Sequence, residues 1–266
     1  MTERRQKLDL ALEDLYEKYN RAEYVAPDPL QFLAAYPDPA DREVAGFICA
    51  MFAFGAVGQI VKTLDIVLRR LPSPAGFLAY AHAEELSLMF KDFRYRFVDG
   101  VQLSALLLAM KSLRETHGSL NAALVSHYIE SDDTIMPALS GFMRELSSIS
   151  QNKRNYLMPQ PLKGGTCKRL HLYLRWMIRQ DAVDPGGWQG VPPSKLIVPL
   201  DTHMFRICTQ LGFTNRKTAN GRRAEEVTAA FREICPEDPV RYDFTLTRFG
   251  IRKDLDVKDL FSEWLG

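Results

Sequence analysis

The sequence has little of what builds a metal cluster or a disulfide scaffold. Its 266 residues include four cysteines, Cys49, Cys167, Cys208 and Cys235, spread along the chain. No spacing among them suits zinc, and no four-cysteine iron–sulfur loop is present. Cysteines used in this way point to reduced thiols in a cytoplasmic protein, with no cofactor expected. Long hydrophobic runs are missing too. The longest, Val44 to Val57, is shorter than a membrane span needs and reads as a buried helix. The opening Thr2-Glu3-Arg4-Arg5 runs into a charged amphipathic segment, which is not the pattern of a signal peptide. Internal repeats, low-complexity tracts and long structureless linkers are absent. With 46% apolar and 25% charged residues, what remains is a soluble globular protein long enough for one or two domains.

An excess of one charge is also lacking overall, since the net charge is +1. That sum hides an asymmetry. Residues 151–223 hold thirteen Lys or Arg against three acids, Asp181, Asp184 and Asp201, a net +10, so the remainder carries −9. A basic segment of this kind suggests a polyanion footprint; a solvated surface balanced by nearby acidic helices is the plainer alternative. On the first reading Lys153, Arg154, Arg216, Lys217, Arg222 and Arg223 lie on one basic face.

Apolar periodicity predicts helices nearly throughout. Leu8, Leu12, Leu15, Tyr16 and Tyr19 mark a first helix over 3–20. Asp38 and Pro39 open an apolar helix that ends near Gly55, and others follow over 57–70 and 74–82. Phe90 to Phe97 alternates like a strand over a short stretch. Asp99 with Gln102 forms a capping-box pattern for a helix to Thr116. Helices over 119–128, 134–150, 168–179 and 224–234, one opened by Asp238-Pro239 and closed by Gly250, and a short one over 256–264 complete the series. The fold class is all-α.

The most informative stretch is Val198-Pro199-Leu200-Asp201-Thr202-His203-Met204-Phe205-Arg206-Ile207. Asp201 occupies an N-cap position, where its side chain accepts from backbone N–H groups of the first turn. Leu200, Met204, Ile207 and Leu211 recur on one side, and Gly212 ends the helix. Upstream, Gly164-Gly165-Thr166-Cys167-Lys168 leads into a helix with Leu170, Leu174, Met177 and Ile178 on one side. Taken alone, Asp201 is a plain cap and Lys168 a surface lysine.

Together these blocks resemble the signature of the helix-hairpin-helix DNA glycosylases, such as endonuclease III and the 8-oxoguanine glycosylases. In those enzymes Val-Asp-Thr-His or Val-Asp-Val-His opens the helix that carries the catalytic aspartate. The wider pattern, Cys167-Lys168-Arg169-Leu170, Leu174 to Arg179 and Pro199-Leu200-Asp201-Thr202-His203, looks like an uncharacterised bacterial family, domain of unknown function 2400, alongside the archaeal 8-oxoguanine glycosylases. The strong part covers about residues 156–252; the first half matches only as a helical pattern.

The resemblance implies two helical lobes with the active cleft between them. The expected division is an N-terminal helix and connection over 1–39 that packs on the C-terminal lobe, a helical lobe over 40–150 and a glycosylase-like lobe over 151–266. It implies a monomer that binds DNA and no membrane, excises a damaged base, an oxidised purine by analogy, and cleaves the strand as a lyase. Asp201 is then the carboxylate that stabilises a cationic sugar, and Lys168 the amine that attacks it. A cation in the first turn opposes the helix dipole, which favours the neutral amine. Gly164 and Gly165 are the hairpin turn that contacts phosphate, although they depart from the usual Gly-Xaa-Gly. Lys153, Arg154, Arg206, Arg216 and Lys217 are expected on DNA. Trp188, in a Gly/Pro loop over 180–198, is expected at the base and at one edge of the cleft. Trp176 is expected in the core, and Arg175 and Arg179 on phosphate or in internal ion pairs. Where relatives carry a gap-filling Ser-Gln-Gln-Thr-like element, this chain has Ala53 to Gln59, with Gln59 as the substitute. Two other readings remain open: a non-catalytic protein that binds DNA structures with the same fold, and an N-glycoside hydrolase on a small nucleoside-like substrate.

Overall fold

A computed structural model describes residues 3–150, 155–161, 164–215, 220–258 and 260. Helices dominate among them. The first, α1 (Glu3–Tyr19), is followed by 3-10 turns over Ala22–Tyr24 and Pro29–Ala35. Then come α2 (Pro39–Met51), α3 (Val57–Leu68), α4 (Pro74–Tyr80) and α5 (Ala83–Met89). A two-residue strand β1 (Arg94–Tyr95) pairs antiparallel with β2 (Val98–Asp99). Beyond it lie α6 (Gly100–His117), α7 (Leu120–Val125) and α8 (Met136–Ile149). The chain continues through α9 (Lys168–Ile178), α10 (Thr202–Gln210), α11 (Gly221–Ile234) and α12 (Asp243–Ile251). No described helix is long and apolar enough to cross a membrane.

The central element is α2. Asp38 caps it by accepting from Ala40 N at 2.7 Å, with Pro39 in the first position. Every residue from Glu43 to Met51 is buried, so the helix is covered on all sides. It lies on α9, with Phe47 edge-on to Tyr173 at 4.9 Å. The approach is close at Gly46, where a Cβ would stand 3.1 Å from Met177 Cε. Buried Glu43 is satisfied at the start of α7: its carboxylate accepts from Leu120 N and Asn121 N and faces Arg114 at 3.3 Å. Burial holds its pKa above the usual value.

The capping box of α6 is present, with Asp99 and Gln102 each bonded to the other's backbone. The N-terminal helix α1 packs on α12, with Tyr19 against Phe249 and Glu13 bonded to Arg241 and Tyr242. Two expectations from sequence need correction. The Asp238-Pro239 start is not a helix start: the Asp238 carboxylate accepts from Arg179 Nε at 2.8 Å, and α12 begins only at Asp243. The helix α5 was not expected, because only Leu86 of its seven residues is buried and no apolar stripe results.

Candidate active site

Asp201 divides its carboxylate between two tasks. Oδ1 accepts from both His203 N and Met204 N at 2.9 Å and so caps α10. Oδ2 points the other way, 3.2 Å from Lys168 Nζ. The cap is held from below by buried Leu200, Met204 and Ile207, and by Val198 N donating to Thr228 Oγ1 on α11 at 3.0 Å.

Lys168 is the first residue of α9. Cys167 before it has a left-handed backbone, φ 47°, and gives no side-chain cap. Its neighbour Arg169 locks the helix start: Nη1 donates to Met51 O at 2.7 Å and Nη2 to Tyr156 O at 2.8 Å. Lys168 can therefore turn its amine toward Asp201 while the helix stays fixed. The Lys168 side chain is 30% exposed and that of Asp201 13%, so the pair is reachable yet sheltered.

Both side chains line a cavity of about 350 Å³. Its wall is the Ala53–Val57 segment between α2 and α3, faced by residues of α9, α10 and α12. Its polar lining is charged and buried. Arg248 donates to Asp28 Oδ2 at 2.7 Å, and Asp28 Oδ1 caps the Pro29–Ala35 turn through Leu30 N. Arg175 pairs with Asp243 and, at 3.2 Å, with Asp184, which does not line the cavity. Burial pushes the Asp243 carboxyl up to about 6; Arg175 works against that rise and Asp201 adds to it. Asp28 is held below its usual value by Arg248 despite burial. His203 completes the rim, with its imidazole packed on Gly250 of α12.

The other expected site residues fall in different places. Gly164, with φ 74°, and Gly165 are exposed just before Lys168, and Gly164 O accepts from Gly221 N at 3.0 Å. Arg206 is exposed on α10, outside the cavity. Gln59 is exposed on the first turn of α3 and does not line the cavity; the backbone turn at Gly55, φ 102°, brings Phe54 to Val57 there instead. Trp188 is also a correction. It is buried against Tyr173 at 5.0 Å, away from the cavity. No residue of the 180–198 loop reaches the cavity, because the loop is tied to the far end of α9: Gly186 N donates to Trp176 O and Trp188 N to Met177 O. Trp176 is fully buried.

Part of the basic segment is internal where it is described. Arg175 and Arg179 are buried in ion pairs with Asp184, Asp243, Asp181 and Asp238. Arg223, expected on a surface, is fully buried with its guanidinium 4.1 Å from the Phe205 ring, whereas Arg222 is exposed. Lys153, Arg154, Arg216 and Lys217 lie outside the described residues. Asp28, Asp243 and Arg248 were missed from sequence. Asp28 before Pro29 carried a capping signal; the other two carried none.

A family model described as "Protein of unknown function (DUF2400)" matches residues 28–252. No curated protein and no solved structure matches the chain.

Proposed function

The chain belongs to the DUF2400 family, whose function is unknown, and we propose that it is a DNA repair N-glycosylase with lyase activity, acting on a damaged base. The supporting observation is the Lys168–Asp201 pair, 3.2 Å apart at the edge of a cavity with a buried polar lining. Base excision needs a nucleotide flipped out of the duplex into a pocket. It also needs a fixed negative charge beside the sugar as the C1′–N bond breaks. Asp201 Oδ2 supplies that charge, and the two N–H groups on Oδ1 keep it in place. Lys168 gives up its proton and its nitrogen attacks C1′. The base leaves with the electrons of the broken C1′–N bond and takes up the proton shed by the attacking nitrogen. The C1′–O4′ bond then opens, O4′ takes up a proton as the nitrogen lone pair forms the C=N bond, and the resulting imine permits strand cleavage. The charged groups Arg175, Asp243, Asp28 and Arg248 offer donors and acceptors to the edge of a flipped base. An oxidised purine is the first class to test.

The test is a panel of duplexes, each with one lesion, incubated with the protein and borohydride. A covalent adduct on one lesion that disappears in Lys168→Ala supports the reading. Base release that persists undiminished with trapping in Lys168→Ala would end the lyase proposal. One observation favours a second reading, an N-glycoside hydrolase on a small nucleoside-like substrate: three cations of the basic segment, Arg175, Arg179 and Arg223, are buried inside the protein. A salt titration separates the two, since phosphate contacts give affinity a steep salt slope and a small neutral nucleoside does not.

A further inference from the structure

Outside the cavity, aromatic rings and guanidinium groups form a continuous series. Phe54, on the cavity wall, lies 4.8 Å from the ring of Tyr156, and Tyr156 lies 5.5 Å from Phe97. Arg169 stands over Phe54 at 5.2 Å and over Tyr156 at 4.8 Å, and Arg96 stands over Phe97 at 5.5 Å. Phe97 is 66% exposed and Tyr156 41%. Core packing does not explain rings placed this far into solvent.

The backbone beneath them is also unusual. Arg96 and Phe97 are the two residues that connect β1 to β2. Two-residue hairpin loops need positive φ, and Gly, Asn or Asp normally supply it. Here Arg96 takes φ 53°, a conformation disfavoured for a long L side chain. Gly55 makes room opposite, where a Cβ would be 2.9 Å from Arg96 Nη1. A strained, non-glycine loop tip that carries a cation and an exposed ring is a reason to look for a ligand there.

We propose that Phe97 and Tyr156, flanked by Arg96 and Arg169, form a stacking shelf for an unpaired nucleobase of a DNA strand, next to the nucleotide held in the cavity. This rests on the DNA reading of the site. Any base offers a flat π-face to a ring, and guanidinium groups stack on bases and neutralise phosphate. Rings alternating with cations fit a polynucleotide better than an apolar peptide, and Phe54 makes the shelf continuous with the cavity that holds Lys168 and Asp201.

The experiment is fluorescence anisotropy of the full chain with three labelled probes: a thymidine single strand, the same strand in duplex, and a strand of equal charge that lacks bases. The wild type is expected to bind the single strand more tightly than either other probe. Phe97→Ala should lose roughly tenfold or more toward the single strand while its affinity for the baseless strand and its thermal midpoint stay the same. Phe97→Trp should restore binding, with tryptophan emission quenched on addition of the strand. Equal binding of all three probes by the wild type, no binding of the single strand, or no effect of Phe97→Ala overturns the shelf. Borohydride trapping separates this from the glycosylase reading. Trapping without a Phe97 effect removes the shelf alone; a Phe97 effect with neither base release nor trapping on any lesion removes the glycosylase alone.

Discussion

Lys168 Nζ lies 3.2 Å from Asp201 Oδ2, although a helix and a long loop separate the two residues in the chain. The loop returns from the far end of α9 to its start, and this return brings a cap and a cation together. Asp201 therefore has two separable roles. Asp201→Asn retains a side-chain oxygen for His203 N and Met204 N and should leave the thermal midpoint nearly unchanged. It removes the charge, and base release on a true substrate should fall by about a hundredfold or more. Asp201→Ala loses the cap as well and should cost about 1 kcal/mol of stability. Equal losses of stability in the two variants would show that the cap depends on charge, and unchanged turnover in Asp201→Asn would remove the carboxylate from the chemistry.

Gly250 sets how closely α12 approaches the start of α10. A Cβ at that position would stand 2.2 Å from His203 Nδ1 and 2.7 Å from His203 Cβ. Rotating the imidazole relieves only the first of these, so the helices must separate. Gly250→Ala should cost about 1–3 kcal/mol in a urea melt. The double variant with His203→Ala should recover part of that loss, as contacting residues are coupled. Additive losses would mean that the two side chains do not share the space.

The start of α10 and the start of α9 were legible in the sequence because each joins a local signal to an amphipathic stripe. Asp201 between Leu200 and the Met204 and Ile207 positions, and Lys168 after two glycines, are short-range patterns. The cavity lining was not legible. Asp243 and Arg175 meet across 68 positions, and the Asp238–Arg179 pair, outside the cavity, spans 59. Periodicity has no access to buried charges whose partners lie that far along the chain. The same blindness made Arg175, Arg179 and Arg223 count toward a surface footprint when their charges are used inside. Trp188 misled for a related reason: a Gly/Pro loop suggests exposure, but this loop folds back onto α9.

His171, on α9, makes acid stability a readable quantity. It is buried, and burial lowers its pKa from 6.5 to about 4. Above pH 6.5 the ring is neutral in both folded and unfolded chains and contributes nothing to the pH dependence. As pH falls from 6.5 toward 4, the unfolded chain takes up the proton first, so the folded state loses stability, by about 3 kcal/mol in the limit. His171→Leu should flatten this part of the profile. Urea midpoints measured at pH 7.5, 6, 5 and 4 in both proteins would reveal it; parallel profiles would mean that His171 is protonated as easily in the fold as outside it.

Trp188 tests whether the 180–198 loop is a structural connector or part of a ligand site. Its ring is buried edge-on against Tyr173, which also packs on Phe47 of α2. Its backbone N–H closes the last turn of α9 on Met177 O. Truncating it opens a hole beside the α2–α9 contact, and Trp188→Ala should cost about 3–5 kcal/mol. Trp188→Phe keeps an aromatic edge for Tyr173 and should cost less. Neither change alters the cavity that holds Lys168 and Asp201, so nucleic-acid affinity per folded molecule should match the wild type in both. The measurement is a urea melt paired with anisotropy at a temperature where each variant is fully folded. An unchanged melt with lost affinity would place the indole on the ligand and return the loop to the edge of the site.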